Sequence, residues 1–408
     1  MAPAVVSGFR KKRRAEKKLH LTREEEQIYD GEFGWANQVC MKILVRLGEL
    51  FNATRLIPIS SAHISGVSYK TLGDAPIEFL KNMADADGKA KVKATLNPQS
   101  FSPEYLGKKL PKNIREKQFT ILEQFERMGF TCSLTCTPYY LHRPEAGSHL
   151  AWAESSAVVY ANSVLGAWTN REGGPSALAA AIIGKTPDYG MHMAGNREPT
   201  ILVNVEKPLQ NETEFGALGI HLGKILGNKI PLINGLKNAS EDSLKQLGAA
   251  LATTGMTNMF RRDASSEKRG IEKVSVEAED IKRTIEGLST AARHEPDLVF
   301  IGCPHCSLDE IRHIAGHVEG KKVKQRTECW VCTSRHNMEK AADYVKTIER
   351  TGAHVLADMC TIVSWTETLG IRTIMTNSAK TAYYAPTLNK AATILAPREE
   401  CLKTAFKG

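Results

Sequence analysis

Short apolar runs alternate with stretches of helical spacing along most of this chain, and many of the runs end in small polar or sulfur-bearing residues. A helix is expected to start at Thr22, because Thr22 and Glu25 have capping-box spacing, and helical character persists toward Phe51 with a break near Gly31 to Gly34. The apolar run RLIPISSAHISG (residues 55–66) then leads into the helical TLGDAPIEFLKNMAD (71–85). The strand-like KVKATLNPQS (91–100), the helical NIREKQFTILEQFERMGF (113–130) and the strand-like TCSLTCTPYY (131–140) come next. Toward the end of the chain DLVFIG runs into CPHC and a helix from Ser307. ECWVCTS precedes the helical HNMEKAADYVKTIER, and AHVLADMC and IRTIMTNSAK complete the series. Strands that alternate with helices imply parallel α/β units, so the expected fold is α/β, built of doubly wound parallel-sheet domains around a central crevice.

In open parallel sheets, ligands gather beyond the carboxyl ends of the strands. The pattern puts Ser60, Asn97 and Cys136 near three such ends, and Cys303, Cys332, Cys360 and Ser378 near four more. Two facing α/β units would bring these groups together. The expected division is a basic arm over residues 1–20, an N-terminal α/β region over 21–285 carrying the Cys136 loop, and a C-terminal α/β region over 286–408 carrying the Cys303 and Cys360 loops. Glu212 to Gly227 reads as a glycine-rich helix, and Arg261 to Arg269 as a polar surface connection.

With 408 residues, 42% of them apolar and 24% charged, the chain can bury more than one core. No apolar run approaches a membrane span, and the first residues lack the apolar segment of a secretory signal. A cytoplasmic protein is therefore expected, whose nine cysteines are reduced, metal-bound or buried. Part of the net charge of +9 lies in RKKRRAEKK (residues 10–18). Such a run usually makes a solvated or partner-contacting tail. The overall positive balance suits an anionic small-molecule substrate.

The cysteines carry the candidate chemistry, and three readings compete. Cys303 and Cys306 in CPHC, followed by a capping box at Ser307 and Glu310, have the form of a redox dithiol at a helix start. Cys329 and Cys332 follow Cys306 after 22 intervening residues (307–328), close to the spacing of a four-cysteine zinc ribbon, and a zinc protein with a basic arm could bind nucleic acid. The helical LDEIRHIAGHV between the pairs argues against a small zinc module. The third reading draws Cys136, Cys303 and Cys360 from separate strand ends to hold an iron–sulfur cluster whose open iron acts as a Lewis acid. Cys40, Cys132 and Cys401 read as buried small hydrophobes.

The stretches SSAHISGVSYKTLGD, ATLNPQS, TCTPYY, AWAESSAVVYANSVLGAWTNREGGPSALAAAIIGKTPDYG, IGCPHCS, ADMC and TNSAKTAYY resemble the aconitase X family from about Gly31 to about Pro397. The resemblance implies an aconitase-like arrangement of α/β domains and a [4Fe-4S] cluster on Cys136, Cys303 and Cys360; Cys332, which also ends a strand, is the rival ligand. It also implies dehydration of (R)-mevalonate 5-phosphate to trans-anhydromevalonate 5-phosphate, in a modified mevalonate route to isoprenoids. Relatives in the family dehydrate other hydroxy acids such as cis-3-hydroxy-L-proline. By the same resemblance Gly66, Val67, Ser68, Asn97, Pro98, Glu154, Ser155 and Lys380 bind substrate, Glu154 and Lys380 being the catalytic candidates. A small partner subunit would carry the swivelling domain and the base, since few residues follow the AATILAP segment. Asn170 to Gly174, ahead of a helix, could offer backbone donors to an anion, and His305 is expected to make an ordinary hydrogen bond.

Overall fold

The computed structural model describes residues 19–262, 270–292 and 295–407. The basic run of residues 10–18 and most of the polar connection after Arg261 lie outside the described residues. The capping box forms at the first helix, Arg23–Asp30: Thr22 accepts from the Glu25 amide while the Glu25 carboxylate accepts from the Thr22 amide. After the break the helix Trp35–Leu50 follows.

Three parallel sheets succeed one another along the chain. The first contains β1 (Ser61–Ile64), β2 (Lys93–Leu96) and β3 (Leu150–Trp152) in the order β2-β1-β3. In the second, β4 (Ile201–Val205), β5 (Pro231–Asn234), β6 (Arg261–Arg262) and β7 (Glu272–Val276) run in the order β6-β5-β4-β7. The third contains β8 (Leu298–Cys306), β9 (Glu328–Thr333), β10 (His354–Ala357), β11 (Thr373–Thr376) and β12 (Ala392–Leu395) in the order β10-β9-β8-β11-β12. That order reverses direction at β8, so the carboxyl ends of β8 and β11 flank a topological switch point. All nine residues of β8 are buried, as a central strand covered on both faces requires.

Several expectations need correction. TCSLTCTPYY is no strand, although its alternation resembles one. The Thr131 amide bonds to the Ala94 carbonyl and the Thr135 amide to the Leu96 carbonyl, so this segment uses four residues where β2 uses two. The excess loops out through Leu134 at φ 43° and carries Cys136 away from the ladder. Ser60 sits at the wrong end of β1: it precedes the strand, is exposed and donates to the His149 carbonyl, whereas the carboxyl end leads to Gly66. Glu154 follows β3 and caps the short helix Ser155–Tyr160.

Strand geometry also separates the paired cysteines. Residues three apart on a strand face opposite sides. Cys306 and Cys329 pack with Cys401 in the core on one face of the third sheet, while Cys303 and Cys332 join the core on the other. The four sulfurs of the ribbon spacing therefore do not converge, and Cys303 and Cys306 do not form a dithiol; all nine cysteines are free.

Candidate active site

The carboxyl ends of the first and third sheets meet at a cavity of about 240 Å³. From the first sheet come Gly66, Val67 and Ser68 after β1, Asn97 and Pro98 after β2, and Glu154 and Ser155 after β3. From the third come Cys303 on β8, Cys360 after β10 and Lys380 after β11; Cys136 enters on the looped-out segment. Gly66, at φ 76°, turns the chain there with only the Leu72 side chain within reach of a Cβ. Cys332 does not line this cavity; it is fully buried behind it, with Sγ 3.9 Å from Thr361 Oγ1. The anion site considered at Asn170 to Gly174 is also elsewhere, since Gly173, Pro175 and Ser176 border a groove beside the helix Trp35–Leu50.

A carboxylate and an ammonium form the polar wall. Lys380 Nζ lies 2.8 Å from Glu154 Oε1, and that oxygen also accepts from the Ser156 hydroxyl at 2.8 Å and the Ser156 amide at 3.3 Å. Glu154 Oε2 accepts from Asn97 Nδ2 at 2.7 Å. Burial alone would raise the pKa of Glu154, but the Lys380 charge and these hydrogen bonds outweigh it and hold the carboxyl at about 2. Burial likewise works against the charged form of Lys380, and the neighbouring carboxylate more than offsets it, so its pKa is raised and it stays an ammonium. Lys380 stands in the first turn of the helix Ala379–Leu388, where the helix dipole disfavours a cation. Glu154 supplies the compensating charge.

The polar chain continues inward to a residue that the sequence analysis did not select. His63 on β1 meets Asn97 Oδ1 through Nε2 at 3.2 Å and Thr95 Oγ1 through Nδ1 at 2.8 Å. Burial lowers its pKa to about 4, so it is neutral and fixes the orientation of Asn97. Thr71 and Tyr384 also line the cavity. Tyr384 falls four residues after Lys380, one helical turn on, a spacing that could have revealed it.

Opposite this pair are three thiols. Cys136 Sγ accepts the His305 amide at 3.2 Å, and the Cys360 amide donates to the Gln99 carbonyl at 3.0 Å, tying its loop to the one that carries Asn97. Burial, then the Glu154 charge and Cys303, push the Cys136 thiol well above its ordinary pKa; burial, then Cys303, push Cys360 up to about 12. Among the described residues no three His, Cys, Asp or Glu side chains are grouped closely enough to hold a single metal ion. Three sulfurs around one cavity, with no fourth cysteine lining it, suit instead a group of several metal ions with one position left for another ligand.

Comparison with known proteins identifies the family of the chain. Sequence models of the aconitase X first, second and third domains match residues 18–195, 199–286 and 296–407 respectively. The phosphomevalonate dehydratase large subunit of Methanocaldococcus jannaschii is 46% identical over 94% of this chain and 100% of its own length. A more distant relative, the cis-3-hydroxy-L-proline dehydratase of Pseudomonas aeruginosa, is 30% identical over 94% of this chain and 69% of its own. The crystal structure of Thermococcus kodakaraensis aconitase X in its holo-form matches with a TM-score of 0.88 at 40% identity, covering 95% of this chain and all of that one. With the cavity assembled by strand ends from its first and third matched segments, the chain belongs to the aconitase X family.

Proposed function

We propose that this chain is the large subunit of a cytoplasmic hydro-lyase that dehydrates (R)-mevalonate 5-phosphate to trans-anhydromevalonate 5-phosphate, with a [4Fe-4S] cluster on Cys136, Cys303 and Cys360. The observation that carries the reading is the cavity, in which three cysteines face a buried Glu154–Lys380 pair. The name of the M. jannaschii relative supports the choice of substrate. When bound, a cluster held by three thiolates supplies an open Lewis-acidic iron that makes hydroxide a tolerable leaving group.

The chain's own residues bind and orient. Lys380, kept protonated by Glu154, offers its charge to a substrate carboxylate. Ser68 and Ser155 add hydroxyls, and Asn97, steadied by His63, keeps Glu154 in place. In the net reaction a C–H bond and the neighbouring C–O bond break, a C=C bond forms and water leaves. The proton is taken from the carbon next to the carboxylate by a base that a small partner subunit provides. The experiment is an anaerobic assay of this chain, a small subunit and their mixture after cluster reconstitution, with mevalonate 5-phosphate and cis-3-hydroxy-L-proline as substrates. Turnover of the phosphate by the mixture alone is expected. Full activity of this chain by itself would remove the partner from the mechanism, and turnover of the imino acid instead would reassign the substrate.

A further inference from the structure

We infer that His305 is the positioning residue that locks the three cysteine loops into one cradle, an inference that rests on the reading of Cys136, Cys303 and Cys360 as cluster ligands. His305 lies two residues after Cys303 and is 1% exposed, so it cannot meet bulk solvent. Its four polar groups are committed to three different elements. The main-chain N–H donates to Cys136 Sγ at 3.2 Å. Nδ1 lies 3.1 Å from the hydroxyl of Thr135, the residue before Cys136. Nε2 lies 2.9 Å from the carbonyl of Met359, the residue before Cys360. The carbonyl of His305 accepts from Lys245 Nζ at 3.3 Å, so a buried ammonium on the helix Glu241–Thr254 holds the same peptide from behind.

The Met359 carbonyl can only accept, so Nε2 carries the proton and Nδ1 accepts from Thr135. One neutral imidazole thus spans the loops of Cys136 and Cys360 from the strand that carries Cys303. None of the three cysteines sits in a continuous ladder, so the His305 bonds, together with the main-chain bond from the Cys360 amide to Gln99, set the sulfur spacing. Residues behind a ligand shell typically change metal affinity 10- to 100-fold when removed.

The test uses the full chain, purified and reconstituted without oxygen, as wild type, His305→Leu, His305→Gln, Thr135→Val and Cys136→Ser. Gln can still donate to Met359, Leu can make neither bond, and Thr135→Val removes only the hydroxyl at Nδ1. Circular dichroism reports folding; iron and sulfide content, the electron paramagnetic resonance spectrum of the reduced centre and its bleaching rate in air report the cradle. Folded His305→Leu should lose its cluster in air about tenfold faster than wild type, with altered resonance positions and partial rescue in His305→Gln. A folded His305→Leu chain that keeps wild-type spectrum and lifetime overturns the inference, and if that chain does not fold, an unchanged Thr135→Val centre overturns it equally. A wild-type chain without iron and sulfide, or a normal centre in Cys136→Ser, would instead strike down the ligand assignment and the inference with it.

Discussion

Glu154 shows how a single carboxylate is made safe inside a protein. It is 8% exposed, and its charge is tolerable only because Lys380, Asn97 and Ser156 satisfy both oxygens. Replacing Lys380 with Met should leave a buried carboxylate without its cation and cost about 3–5 kcal/mol, measured by denaturant unfolding. The Glu154→Gln/Lys380→Met pair should recover part of that loss, because no charge then remains unpaired. The pH dependence has a definite sign. The folded pKa of about 2 lies below the ordinary 4.5, so the stabilisation is fully present above about pH 4.5 and is lost as pH falls toward 2. At this scale the residue types were legible in AWAESS and TNSAK, but the pairing of residues 226 positions apart was not.

Among the elements, β8 is the one on which the site depends most directly. Its pairing with β9 is regular from Leu298 to Ile301, shifts register, and resumes only at Cys306. Gly302 sits in the gap at φ 122°, where a Cβ would come within 2.2 Å of the Cys332 carbonyl oxygen. No L side chain fits there. The backbone at this point leaves the ladder and turns Cys303 toward the cavity. Gly302→Ala should therefore destabilise the chain by about 3 kcal/mol or more, through strain and overlap together, and should lower cluster content in whatever folds. Unfolding curves and iron analysis check both. The capping boxes at Thr22 and Ser307 are local and were readable from spacing, and both form as read. The looped segment of residues 131–140 misled because alternation reports which side chains suit a strand, whereas the ladder also needs equal residue counts on both partners.

Across the whole molecule, a buried ionic cluster ties the second sheet's helices to the third. Lys245 on the helix Glu241–Thr254 contacts Asp242 at 3.0 Å and Glu310, the latter in the first turn of the helix Leu308–Val318. Arg398 on the helix Arg398–Ala405 reaches Glu212 at 2.8 Å and Glu310 at 3.6 Å. Lys245 and Glu310 are 1% and 3% exposed, so each depends on the other to offset its lost hydration. Lys245→Met should lower stability by about 3–5 kcal/mol, with the Lys245→Met/Glu310→Gln pair less affected; denaturant titration measures the difference. The same ammonium bonds the carbonyl of His305, so packing of the two segments and the shape of the cysteine cradle are mechanically linked.

By itself the sequence determined the alternation of strands and helices, the helix starts, the parallel α/β class and the residue types at the carboxyl ends of the strands. Each of these follows from local spacing, from turn chemistry or from the side a residue takes on a strand or helix. Only the tertiary structure decided which ends face each other. It brought Cys136 into the cavity by a bulged loop, sent Cys306 and Cys329 to the opposite face from Cys303 and Cys332, and joined His63, Asn97, Glu154 and Lys380 into one hydrogen-bonded chain. The reason is physical: periodicity records which face of its own element a residue occupies, whereas register shifts, loop excess and the docking of one sheet against another depend on contacts between residues far apart in the chain.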